Sequence, residues 1–261
     1  MVIDGKAIAE SIKTELREEI ERRGIRPRLA LVVVGEDFAT DKFVSAKKRF
    51  AERAGIEVLI ANLPEDSSQT NVENAVRKYA EDESVSGIVV QLPLPEEINV
   101  KDVLNIIPPK KDVDALTENG EMLSPVVLAV KEILERESVE ISNKKALVIG
   151  RGKLVGIPVS DWLKESGAET TVVDINTKDL DNLTKKADII ISGTGSPGLI
   201  KEDMISEEVV LIDAGTSEAS GKLRGDAESD CASKCSIFTP VPGGVGPIVV
   251  ATLLKNVVEN S

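Results

Sequence analysis

Five short apolar runs limit this chain more than any other feature. They are "RLALVVVG" (28–35), "GIVVQ" (87–91), "KALVIG" (145–150), "ADIIISGTG" (187–195) and "EVVLIDAGT" (208–216). Each reads as a strand, and "RLALVVVG" and the Ile88–Val90 run read as buried ones. The stretches between them carry helical spacing. Ile8, Ile12, Leu16 and Ile20 share one face of 5–23, and "ATDKFVSAKKRFAERAG" (39–55) stops at Gly55. "IEVLIANL" reads as a strand, "NVENAVRKYAED" as a helix and "VKDVLNII" as a short helix. Strands alternating with helices predict α/β architecture.

The rhythm restarts after "PPKKDVDALTENG", which puts a domain boundary near residue 120. A connecting helix at 125–137, a strand at 145–150, a helix at "VGIPVSDWLKESG" and a strand "ETTVVD" (169–174) follow. "PIVVATLLKNVVEN" closes the chain as a helix. With 261 residues the chain is long enough for one large or two ordinary domains, and 41% apolar residues allow a real core.

Composition narrows the chemistry. A net charge of −13 argues against nucleic acid and anionic membranes as partners. No apolar run has the length of a membrane span, and the N-terminus lacks a signal peptide's apolar block, so a soluble, cytoplasmic protein is expected. Cys231 and Cys235 form no metal-binding pattern and read as small buried residues. There is no histidine. Acid–base work therefore falls on Lys, Asp, Glu or Tyr, and no metal is expected.

Two places carry chemistry. "ALVIGRGKLVGIPVSDWL" has strand–glycine-loop–helix order, with Gly150, Gly152 and Gly156 one residue wider than the usual dinucleotide fingerprint. Glycines let backbone N–H groups approach a pyrophosphate, and a helix N-terminus favours its charge. A tight turn before a structural helix is the alternative. The next strand ends in Asp174, about 20 residues on, where an acid meets an adenosine ribose. In the first half, Lys47 falls on the stripe of Phe43, Phe50 and Ala54, an inward face. It is either a snorkelling stem or a desolvated lysine able to move protons. Gln91 ends a buried strand and is followed by Leu92, Pro93, Leu94 and Pro95, which hold a neutral amide in place. Asp114 of "KKDVDAL" is either a turn residue or a third fixed polar group.

Taken together, "VVVGEDFATDKFVSAKK", "GIVVQLPLP", "KKDVDAL", "VIGRGKLVGIP" and "TPVPGGVGP" resemble the bifunctional methylenetetrahydrofolate dehydrogenase/methenyltetrahydrofolate cyclohydrolase family, in the family's order. The resemblance implies two domains around a cleft. One is a three-layer α/β catalytic domain for folate (1–120), with the helix at 246–261 packing back on it. The other is a Rossmann-type NAD(P)-binding domain (121–245). It implies oxidation of 5,10-methylenetetrahydrofolate, hydrolysis of the methenyl product to 10-formyltetrahydrofolate, and a homodimer.

By the same resemblance Lys47 is the catalytic lysine, Gln91 its tuning amide and Asp114 the carboxylate that holds the pterin. Phe43, Leu92, Pro93, Pro242, Gly243 and Gly244 contact substrate. Gly150, Arg151, Gly152, Val155, Gly156, Asp174, Gly193, Thr194, Gly195 and Thr216 contact the cofactor. NADP is implied by Arg151, whereas Asp174 opens the way to NAD. The chain departs from the family at Phe43 (usually Tyr), Gly152 (usually Ser) and Ile248–Val249 (usually Met-Thr). A dehydrogenase with only one of the activities, a two-domain dehydrogenase for another small substrate, and a non-catalytic dinucleotide sensor are the competing readings. The quoted motifs weigh against the second, and the presence of Lys47 weighs against the third.

Overall fold

The computed structural model describes the backbone at residues 1–35, 38–117, 119–219 and 222–261, and the side chains of these residues except 38–43 and Ala219. The chain forms two compact units. One comprises Glu10–Pro125 and Val250–Ser261, the other Met1–Ala9 and Val126–Val249.

The chain opens with α1 (Gly5–Arg23), β1 (Arg28–Val34), α2 (Phe38–Ala54), β2 (Glu57–Leu63), α3 (Gln69–Glu81), β3 (Gly87–Val90) and α4 (Val100–Leu104). The three strands pair in parallel in the order β2-β1-β3. On β1 the even residues Ala30, Val32 and Val34 join Ile88 and Val90 of β3, and Val72, Val76 and Tyr79 of α3, in one core. The odd residues Leu29, Leu31 and Val33 point the other way and are buried as well. Burial of both faces is why the run lacks alternation.

Next come α5 (Pro125–Arg136), β4 (Lys145–Ile149), α6 (Gly156–Glu165), β5 (Glu169–Val173), α7 (Leu180–Thr184), β6 (Ile189–Ser192) and β7 (Val210–Asp213). A small antiparallel hairpin, β8 (Ser217–Ala219) and β9 (Lys222–Arg224), precedes β10 (Ile237–Phe238). The five-stranded parallel sheet has the order β10-β7-β6-β4-β5. Numbered along the chain from β4, its strands lie 2-1-3-4-5, a doubly wound order. Its direction reverses between β4 and β6, and ligands of such sheets bind beyond the strand ends at this point. Cys231 and Cys235 are unpaired thiols in this sheet's core beside Ile190, Leu211 and Phe238, and burial pushes them up to about 11 and about 12.

The final helix, α8 (Val245–Glu259), is divided between the units, and from Val250 its residues belong with the three-stranded sheet. There Asn256 Nδ2 donates to the carbonyls of Val113 (2.9 Å) and Leu123 (3.0 Å). Conversely, the first nine residues belong with the five-stranded sheet. Val2 bridges Phe238, and the Ile3 N–H donates to the Phe238 carbonyl at 2.8 Å. Among the described residues no helix is long and apolar enough to cross a membrane.

Candidate active site

In the three-stranded unit, α2 carries Lys47 one turn before Ala51 and two before Ala54, both fully buried, so the helical period turns the lysine inward. Its side chain is half-buried. Nζ donates to Gln91 Oε1 at 3.0 Å. Gln91 sits just past β3, and its N–H continues the ladder to the Val32 carbonyl (2.9 Å). Its own amide nitrogen donates to the Leu92 carbonyl at 2.7 Å, which fixes the amide with its oxygen toward the lysine. The peptide bond to Pro93 is cis.

Asp114 is half-buried and interacts electrostatically with Lys47. Its loop is held by the other aspartate of "KDVD". Asp112 is buried and accepts from the N–H groups of Leu116 (3.2 Å) and Thr117 (2.8 Å), closing a turn in which Ala115 has φ +53°. Val113, between the two, lies against Gly87 so closely that a Cβ there would come within 2.6 Å of Val113 Cγ1. Lys111 serves a structural purpose, donating to the Ala80 and Asp82 carbonyls at 2.9 and 2.7 Å at the C-terminal end of α3.

These placements set the protonation of the site. Burial lowers the Lys47 pKa, with Asp114 opposing. Burial raises the Asp114 pKa, opposed by Lys47 and reinforced by Asp112. The group in hydrogen-bond contact with Lys47 is a neutral amide, so the amine can shed its proton more readily than an ordinary lysine. The side chain of Phe43 lies outside the described residues.

In the other unit, the loops after β4 and β6 meet at the reversal point. Gly150 has φ +118°, and a Cβ there would come within 2.8 Å of the Gly193 carbonyl oxygen. A Cβ on Gly156 would overlap the Gly150 oxygen at 2.0 Å, and one on Gly193 would strike Val155 at 2.5 Å. These three glycines and Val155 form a tightly closed pair of loops in front of α6. A Cβ at Gly152 would touch nothing within 4 Å, so packing does not require glycine there and the backbone stays open to a ligand. Bare backbone at the start of a ten-residue helix fits a dinucleotide's pyrophosphate.

Arg151 is exposed. Its Nε lies 3.4 Å from Asp174 Oδ2, and its Nη2 donates to the Val172 carbonyl at 3.1 Å. Asp174 also accepts from the Asn176 N–H (2.9 Å). Thr194 and Gly195 follow β6, and the Thr216 carbonyl lies 3.6 Å from where a Gly195 Cβ would be. Pro242, Gly243 and Gly244 also belong to this unit, so Lys47, Gln91, Leu92, Pro93 and Asp114 share one body and the "PVPGG" loop the other. Gly243 (φ +106°) accepts at its carbonyl from the Gly5 N–H, 2.9 Å.

Two models of one family cover the chain in sequence order. Residues 3–114 match the tetrahydrofolate dehydrogenase/cyclohydrolase catalytic domain, and residues 124–261 match the NAD(P)-binding domain of the same family. The chain belongs to the tetrahydrofolate dehydrogenase/cyclohydrolase family. It is an enzyme with both activities, oxidising 5,10-methylenetetrahydrofolate and hydrolysing the methenyl product to 10-formyltetrahydrofolate. The bifunctional protein FolD of Halothermothrix orenii is 39% identical over 273 residues, covering 99% of this chain and 96% of the relative. The crystal structure of the bifunctional FolD enzyme of Campylobacter jejuni superposes with a TM-score of 0.95 at 36% identity, covering 100% of this chain and 98% of that one. That of Trypanosoma brucei, complexed with NADP and an inhibitor, gives 0.93 at 36% identity, covering 100% and 96%.

Sequence reasoning missed two buried acids, Asp213 and Asp226, in the dinucleotide-binding unit. Asp213 ends β7 in an apolar run, which signals burial. Asp226 follows a hairpin in a polar stretch, "RGDAESD", with no period to flag it.

Proposed function

We propose that Lys47 is the acid–base group of the methenyl hydrolysis, that Gln91 keeps it titratable, and that Asp114 holds the pterin. The observation that carries this reading is the 3.0 Å contact between an inward, desolvated lysine and a neutral amide in a chain without histidine. In the first reaction a hydride leaves the one-carbon bridge and a methenyl cation remains. NAD(P)+ accepts that hydride when bound. This step depends on orientation more than on proton transfer. In the second reaction water adds to the cationic carbon. Neutral Lys47 takes a proton from that water and returns one to the folate nitrogen as its bond to the carbon breaks. The one-carbon unit stays on the other nitrogen as a formyl group, and one proton is released to solvent.

The dinucleotide is NADP in this reading, supported by Arg151 and by the bound NADP of the Trypanosoma relative. Arg151 would take the 2′-phosphate in place of its present partner Asp174, while Gly150, Gly152 and Gly156 admit the pyrophosphate. Leu92 and Pro93, with Pro242, Gly243 and Gly244, contribute to folate binding, and Thr216 to cofactor binding. Family membership supports a homodimer and a cytoplasmic location. An assay following methenyl formation and methenyl hydrolysis separately, with each dinucleotide, tests the reading. Absence of either activity would overturn it.

A further inference from the structure

In the dinucleotide-binding unit the loop after β6 is tied down by one side chain. Asp226 is fully buried. Its Oδ2 accepts from Ser192 Oγ and from the Thr194 N–H, both at 2.7 Å, and its Oδ1 accepts from the Ser196 N–H at 2.7 Å. Three donors on two oxygens suit a carboxylate, which only accepts. Among the described residues no lysine or arginine forms an ion pair with it. Its charge is met by loop donors, and such charge-assisted bonds are the strong kind. The space beside it is equally specified, since a Cβ on Gly215 would lie 2.3 Å from its carboxyl carbon. Asp213, paired across the sheet with Ser192, accepts from the N–H groups of Gly215 (2.9 Å) and Ala227 (2.8 Å), and so fixes the segment that carries Asp226. The loop held in this way packs its Gly193 carbonyl against Gly150, the first glycine of the pyrophosphate loop.

We propose that Asp226 is a positioning residue for the dinucleotide: its carboxylate sets the Gly193–Ser196 loop in the form that receives the cofactor, and it serves the dehydrogenase reaction alone. The inference rests on the dinucleotide reading above. Asn at position 226 would keep the shape but offer one acceptor oxygen to three donors, leaving an N–H of the loop facing an amide NH2.

The test compares the full-length wild type with Asp226→Asn in three measurements: calorimetric binding of NADP and NAD, dehydrogenase kinetics, and hydrolysis of methenyltetrahydrofolate with no dinucleotide present. The expected result is dinucleotide binding weakened about tenfold or more, a dehydrogenase loss expressed mainly in the KM for cofactor, and hydrolysis within about twofold of wild type. Unchanged dinucleotide affinity, or both activities falling together with the melting temperature, overturns the proposal. If the variant does not fold, Ser192→Ala decides the matter. It removes one of the three donors and is expected to weaken binding about threefold with hydrolysis intact; unchanged affinity would overturn the idea. A wild type that binds neither dinucleotide would instead sink the underlying reading.

Discussion

Replacing Gln91 with glutamate changes one atom type at the lysine and should disable the hydrolase. The Gln91 oxygen accepts from Lys47 Nζ at 3.0 Å. A unit negative charge at that distance attracts the ammonium by about 1.4 kcal/mol under the screening of bulk water, and by about 5.5 kcal/mol at the effective dielectric near a protein surface. Each ~1.4 kcal/mol lowers the neutral fraction of the lysine about tenfold at a given pH. The lower bound is therefore a tenfold loss of methenyl hydrolysis near neutral pH. The sign follows from the lysine. Burial lowers its pKa and so favours the neutral form, while an added carboxylate favours the ammonium. The rising limb of rate against pH should accordingly move to the alkaline side in Gln91→Glu, and activity should recover partly at high pH. The measurement is loss of methenyl absorbance across a pH series, corrected for uncatalysed hydrolysis. A variant with the wild-type rate and an unmoved limb would refute the argument that the amide keeps Lys47 titratable.

Lys47→Met should nearly abolish methenyl hydrolysis, a loss of about 100- to 10,000-fold, and reduce hydride transfer less; separate assays of the two steps check this. Asp174→Ser should raise the ratio of NADP to NAD efficiency, and Arg151→Ala should lower it, read as kcat/KM for each dinucleotide. Gly87→Ala would drive a methyl against Val113, 2.6 Å from Cγ1. Overpacking of this kind costs about 1–3 kcal/mol, visible as a lower melting temperature together with weaker folate binding through the neighbouring Asp114. Asp213 is pushed up to about 6 by burial from an ordinary 3.8. The folded state therefore holds this proton more tightly than the unfolded chain, so the stabilising contribution is present at low pH and is lost as pH rises from about 4 to about 6, by roughly 3 kcal/mol in all. Urea titrations across that window should show a flatter profile for Asp213→Asn than for the wild type.

The fold was legible wherever burial left a periodic mark. Runs such as "RLALVVV" and "DIIIS" cannot be half-exposed, and they became central parallel strands. Lys47 was legible because the helical period put a charge on an apolar stripe. The hairpin at β8–β9 and the two-residue β10 left no such mark, being too short to show a period. The pairing of Val2 with Phe238 joins residues at opposite ends of the chain, and no local pattern announces it. Asp174 shows another limit. Its spacing from the glycine loop suggests a ribose partner, whereas its 3.4 Å approach to Arg151 depends on three-dimensional reach that spacing alone does not give. Asp112 and Asp114 are alike in local pattern; the family motif points to Asp114, and the fold shows that Asp112 caps its own loop.

The division of α8 bears on the order of events during synthesis. The strands around Lys47 and Gln91 are complete by residue 90, but their unit also needs residues 250–261, where Asn256 holds the Val113 carbonyl and the Asn260 side chain reaches the Ser86 carbonyl. At a ribosomal speed of roughly 5–20 residues per second, the half that carries Lys47 waits on the order of 10 s for this segment while the dinucleotide-binding half is being made. During that wait its apolar surface lacks the helix that covers it in the finished protein, so the first half to be translated is the later one to mature.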